Sequence, residues 1–174
     1  MRNRATLYCI VILSFYFYAA LAVAADYKEW VKLLPTTING LPLAKDPEGT
    51  NMNMGDMKTS MILCNYGTGA NTIKLSIVSD ANMISDISGT PSGDSSKDEP
   101  MQFQTDEMIF KTATIEGYHA DLSDNKSEHR SSMHIYMKGK GIVTLDVEPD
   151  VGVNGLEDII KQIPLQKIAA TITE

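Results

Sequence analysis

Reactive cysteine is nearly absent from this 174-residue chain, which has Cys9 and Cys64 and no other. Cys9 sits inside an apolar N-terminal run, so a single thiol belongs to the remainder and an internal disulfide is excluded there. Cys64 also lacks a neighbouring His or Cys in sequence, which leaves either a small buried apolar residue or a thiol that meets a partner only in the fold. A basic surplus is missing too: 15 Lys+Arg stand against 22 Asp+Glu. That balance argues against nucleic acid and anionic membrane surfaces, which attract basic patches. Nucleophile elbows of the G-x-S-x-G type, Walker loops and G-x-G-x-x-G fingerprints do not occur. Histidine is limited to His119, His129 and His134.

Long hydrophobic runs are limited to one. Leu7–Leu21 follows the positive Arg2 and Arg4 and precedes Ala22-Val23-Ala24, the pattern of a signal peptide cleaved near residues 24/25. The run is too short, and too soon followed by Asp26, Lys28 and Glu29, for a mature membrane span. Residues 1–24 are therefore expected to be a leader, and 25–174 a single exported domain in the periplasm or outside the cell. Removing Arg2 and Arg4 leaves 13 basic and 22 acidic residues, a formal charge of −9. Some 150 residues suffice for one real core.

What is present reads as a mixed chain. Asp26–Leu34 spaces Tyr27, Trp30, Val31 and Leu34 as a short amphipathic helix that Pro35 ends. Asn39-Gly40 marks a turn, and Leu41–Thr50 reads as an irregular connection. Met57–Tyr66 and Thr72–Val78 read as two strands joined by a five-residue loop, Gly67–Asn71. Asp80 could cap a short helix bearing Met83, Ile84 and Ile87, and the Ser/Gly/Pro/Asp-rich residues 88–100 suggest an exposed loop. Strands are expected over Glu107–Glu116, Tyr118–Ser123, Ser132–Lys138 and Gly141–Glu148, with Gly139-Lys140 as a tight turn and Asp124–Glu128 as a polar hairpin tip. A final helix follows, with Asn154 and Glu157 as a capping pair and Leu156, Ile159, Ile160 and Ile163 as its stripe. The expected class is α+β, an antiparallel β-sheet with helices packed mainly on one face.

Leu33-Leu34-Pro35 with Ile38-Asn39-Gly40, the Ile115-Glu116-Gly117-Tyr118 turn and the closing helix together resemble small exported bacterial proteins with a PsbP/Mog1-like α+β domain. The resemblance covers roughly residues 27–172 and rests on folding punctuation. It implies a binding or accessory role, as in photosystem assembly factors and a regulator of a nuclear-transport GTPase. No catalytic residue carries over.

Two constellations could carry chemistry. Met52, Met54, Met57 and Met61 are spaced as thioether ligands of Cu(I) often are, although ten methionines in the chain also suit adaptable packing. His119 and His134 could share a sheet face and, with His129 or the methionines, complete a metal site; structural histidines are the plainer reading. Asp121–Glu128 lacks the central Gly of a calcium loop, and Asp146–Asp150 reads as a weak cation site or a solvated acidic rim.

The expectation is a non-catalytic exported binding or accessory protein, acting on another exported protein or a small ligand. It needs no cofactor and does not bind nucleic acid. Its working surface is expected to be the sheet face left uncovered by helices or the long loop at 88–100, with Tyr118, His134 and Tyr136 as candidate binding side chains. The alternative is copper binding or delivery through Met52, Met54 and Met57 with His119 or His134.

Overall fold

A computed structural model describes residues 26–54, 57–79, 101–137 and 141–172. The expected leader, the helix after Asp80, the 88–100 loop and the Gly139-Lys140 turn lie outside these residues.

The chain opens with α1 (Tyr27–Leu33), which starts where the Asp26 carboxylate accepts the Lys28 amide N–H at 3.1 Å. Trp30 is fully buried, and its indole N–H donates to the Thr171 hydroxyl at 2.8 Å. A small ribbon follows, β1 (Thr37–Ile38) and β2 (Leu41–Pro42), whose Asn39-Gly40 turn has positive φ at both residues, 50° and 77°. Both values lie in the left-handed region that Asn and Gly tolerate best.

The main sheet has eight antiparallel strands. They are β3 (Glu48–Met54), β4 (Met57–Thr68), β5 (Asn71–Ser79), β6 (Gln102–Gln104), β7 (Met108–Ile115), β8 (Tyr118–Asn125), β9 (Arg130–Met137) and β10 (Gly141–Glu148). Their spatial order is β3-β4-β5-β10-β9-β8-β7-β6. Two meanders of successive strands thus join where β5 pairs with β10.

Alternation decides which face is buried. On β5, Ile73, Leu75 and Ile77 are buried; on β9, Met133, Ile135 and Met137; on β10, Val143, Leu145 and Val147. Each such side chain contributes about 1.5–3 kcal/mol by leaving water. They form one apolar cluster with Trp30 and with α2 (Gly152–Ile160) and α3 (Leu165–Ile172), through Leu156, Ile159, Ile160, Leu165 and Ile168. The helices contact the sheet on this side, α1 at β3 and β4 and α2 at β7 to β10. The antiparallel α+β architecture expected from the sequence is present.

Several local expectations change. The irregular connection contains β2 and the first three residues of an edge strand, since β3 begins at Glu48. Its Gly49 lies beneath the Tyr27 ring, where a Cβ would come within 2.1 Å of Tyr27 Cδ2, so glycine is what lets α1 pack on β3. The expected five-residue loop is two residues, Gly69-Ala70, because Thr68 pairs with Asn71 and Gly67 with Thr72. Asp124 is not at a hairpin tip: it ends the buried row of β8 and is 3% exposed.

Asn154 does not cap α2, which starts two residues before it and has no side-chain cap from its own N-terminal neighbour, Val151. Its first amides are satisfied from across the sheet. The Ser131 hydroxyl accepts the N–H groups of Val151 and Gly152 at 2.9 and 3.1 Å and donates to Asp124 Oδ1 at 2.6 Å. A tertiary partner has replaced the local one.

Candidate functional site

Among the described residues no helix packs on the second sheet face, and its side chains come from the other strand parity. On β8 these are His119, Asp121 and Ser123; on β9, Arg130, Ser132, His134 and Tyr136; on β10, Ile142, Thr144 and Asp146. The register sets His119 opposite Tyr136, Asp121 opposite His134 and Ser123 opposite Ser132. Thr144 lies on the other flank of His134, and Asp146 on that of Ser132. A patch of half-buried polar and aromatic groups therefore fills the middle of the face.

Asp121 is the hub of this patch. The Tyr136 hydroxyl donates to its Oδ2 at 3.0 Å, and His119 Nε2 lies 3.1 Å from its Oδ1. The His119 and Tyr136 rings are in tilted contact, with centroids 5.6 Å apart. His134 Nδ1 meets the Thr144 hydroxyl at 3.1 Å. One step along the strands, Asp146 Oδ1 accepts both from Ser132 Oγ at 2.6 Å and from Arg130 Nη2 at 2.9 Å. The Arg130 Nε is buried without a partner.

The electrostatics activate neither Tyr136 nor Cys64 as a nucleophile. Burial pushes the Tyr136 phenol up to about 12, helped by the Asp121 charge and by the hydrogen bond to it. An activated nucleophile needs the opposite shift. Cys64 faces the helices, is 1% exposed, and burial pushes its thiol up to about 12 as well. His119 and His134 lie on the other face, so neither can form a dyad with it.

Apolar groups flank the polar centre at both ends of the open face. Met61 is exposed on β4 near the half-buried Leu63, Val78 and Ile142. At the other end Met101, Phe103 and Met108 are exposed beside the half-buried Phe110.

The sequence candidates divide. His134 and Tyr136 belong to the central patch. Tyr118 does not: it shares the parity of Ala120 and Leu122 on the helix side, and its hydroxyl donates to Gln166 Oε1 at 3.3 Å. His129 sits on the exposed β8–β9 turn, 3.5 Å from Asp150 Oδ1 and away from the other histidines. The methionines and histidines are not brought together. β9 and β8 stand four and five strands from β3, about 19 and 24 Å at a normal strand spacing. Among the described residues no three His, Cys, Asp or Glu side chains are arranged to hold a metal.

Sequence reading missed Asp121, Thr144, Ser132, Asp146 and Arg130 as parts of one patch. The signal was available as H-x-D-x-S, R-x-S-x-H-x-Y and I-x-T-x-D on three consecutive strands. Combining them needed the register. Compared with known proteins, the chain matches no family model, no curated protein and no solved structure. No helix among the described residues is long and apolar enough to cross a membrane.

Proposed function

We propose that this is an exported, non-catalytic binding or accessory protein with a PsbP/Mog1-like α+β domain. Its recognition surface is the open sheet face centred on His119, Asp121, His134 and Tyr136. The observation that carries this reading is the composition of that face. Polar and aromatic side chains are held half-buried by one another at the centre, with exposed Met and Phe at the flanks. Aromatic anchors beside fixed hydrogen-bonding groups are what protein-recognition patches use. Hydrogen bonds within β8 and between neighbouring strands hold them in place.

Two small clefts are present among the described residues. One of about 220 Å³ lies between the β7–β8 turn and α2, and another of about 190 Å³ lies beside Pro149. Both fall below the roughly 300–1,000 Å³ of ordinary small-molecule sites. The acidic balance of the chain, −7 overall, favours a neutral or basic exported partner.

Site-specific photocross-linking in the producing cell tests the assignment. A cross-linker replacing Lys74 or Ile142 on the open face is expected to trap one discrete protein. The same group at Lys167, exposed on α3, is expected to trap none. Cross-links confined to position 167 would overturn the face. A small molecule retained in native mass spectrometry, without cross-links, would keep the face but replace the protein partner.

A further inference from the structure

The two edges of the main sheet are protected unequally. At β3 the edge carries the charged Glu48 and α1 packs against it, with the Tyr27 ring over Gly49 and the Tyr27 amide N–H on Asn51 Oδ1 at 3.3 Å. Charge and a covering helix are ordinary ways of keeping an edge from pairing with another chain. At β6 neither is found among the described residues. Every residue of β6 is exposed, and Met101–Thr105 holds no charge and no proline. The ladder shows which backbone groups are already paired. The Thr112 amide donates to the Met101 carbonyl and the Thr105 amide to the Met108 carbonyl, both at 2.8 Å. Positions 101, 103 and 105 therefore bond towards β7, and the N–H and C=O groups of Gln102 and Gln104 point out from the sheet.

Side chains along this edge are apolar on the open face. Met101 and Phe103 are each 56% exposed and Met108 is 40% exposed, and Phe103 stands opposite Phe110. Such an edge is self-complementary. When two copies of β6 meet antiparallel about Phe103, Gln102 of one faces Gln104 of the other, and their outward amides and carbonyls satisfy each other. Phe103 then faces its own counterpart at the closer, non-hydrogen-bonded spacing. Phe110, Phe103 and their two counterparts make one aromatic row across the seam. Charge also favours this pairing. The chain carries −7 overall, whereas the Met101–Thr105 segments that meet are neutral. Antiparallel alignment sets Asp106 of the two copies about 20 Å apart, beyond a Debye length of about 8–10 Å; parallel alignment would bring them together.

We propose that β6 is a dimerisation edge whose occupant is β6 of a second copy, paired antiparallel about Phe103 into one continuous sheet. Burying a whole aromatic side chain removes about 150–250 Å² from water, so the exposed part of Phe103 offers about 110 Å² and the three apolar side chains about 300 Å² per copy. With the strand backbones included, two copies bury about 800–1,000 Å² in total, within the class of weak and transient complexes below about 1,200 Å². The dimer is accordingly reversible, forming at micromolar rather than nanomolar concentrations. The inference does not rest on the proposed recognition patch, because the seam uses outward backbone groups of β6 that take no part in it.

Sedimentation equilibrium of the exported protein between about 10 µM and about 1 mM tests the seam. The average mass should rise towards twice that of the chain, with half-association at tens to hundreds of micromolar, on the order expected for this area. Gln104→Pro deletes an outward N–H and leaves the β6–β7 ladder intact, and Phe103→Lys puts a charge at the centre of the seam. Each should weaken association about tenfold or more. Met61→Lys, on the open face towards the β3 end, should change it less than about twofold. Circular dichroism checks that each variant is folded, and either seam variant alone decides the point. Phe103→Cys sets opposed Cβ atoms about 4.5–5.5 Å apart and should form an interchain disulfide under mild oxidation. Met101→Cys, about 13 Å from its counterpart, should not. A monomer at every concentration, with β6 bare or taken by a strand of a different protein, would overturn the second copy as occupant. So would equal disulfide formation at 101 and 103, association that the seam variants leave unchanged, or association that Met61→Lys abolishes. A monomer leaves the cross-links expected at positions 74 and 142 as they are, so the two readings fail separately.

Discussion

Replacing Ser131 by Ala removes a hydroxyl that serves three partners at once. Its Oγ accepts from the Val151 and Gly152 amides and donates to the Asp124 carboxylate, with both side chains buried. Loss of a cap at a helix N-terminus costs about 0.5–2 kcal/mol. A hydrogen bond to a charged group contributes about 1.5–3 kcal/mol, and here its loss strands a buried carboxylate. Ser131→Ala should therefore destabilise the protein by about 3 kcal/mol, lowering Tm by about 9 °C for a chain of this size. Asp124→Asn keeps an acceptor for the Ser131 hydroxyl and should cost clearly less. The double variant Ser131→Ala/Asp124→Ala should cost at least about 1 kcal/mol less than the two single alanine changes added together, because the same bond is broken in each. Urea unfolding followed by the fluorescence of Trp30, the only tryptophan, measures all of these. A Ser131→Ala change within about 0.5 kcal/mol of wild type, or strict additivity, would refute the view that β9 anchors α2.

Two further outcomes follow from groups on opposite sheet faces. The Tyr136 phenol, raised to about 12 by burial and Asp121, contributes stability that is whole below the unfolded value near 10 and is lost as pH rises through about 12. The absorbance titration of wild type minus Tyr136→Phe should accordingly have its midpoint near 12, and a midpoint near 10 would contradict the geometry. Cys64, also raised to about 12, holds only about 1 part in 10⁴ as thiolate at pH 8. A thiol reagent should modify it only as the protein unfolds, and one-equivalent labelling within minutes in native buffer would show the side chain accessible.

Much of the fold was legible because period-two alternation is local. Thr72–Val78 declared its buried row, and β7 to β10 followed from similar runs within a residue or two. Two edge strands escaped. Gly49, Asn51 and Asn53 in β3 lack strand propensity, and the first two acquire their role only beneath α1, with Tyr27 against Gly49 and the Tyr27 amide N–H on Asn51 Oδ1. β6 is three residues long, too short to show a period.

The candidate site was legible only in pieces. Sequence placed His134 and Tyr136 two apart, which fixes them to one face, but it could not pair them with His119 and Asp121. It joined methionines and histidines in one metal set because separation along the chain says nothing about distance across a sheet. Asn154 looked like a cap because capping residues are recognised locally, whereas Ser131 reached α2 from β9.

The sequence by itself determined the acidic balance, the short amphipathic helices, the antiparallel strands and the face each strand buries. These depend on neighbours one to four residues apart. Only the tertiary structure decided that β5 and β10 join the two meanders and that Asp121 gathers Tyr136 and His119. It also decided that β3 lies four and five strands from the histidine-bearing β9 and β8. Register and strand order are set by which apolar rows pack together under the helices, and residues distant in sequence meet only once that packing is complete.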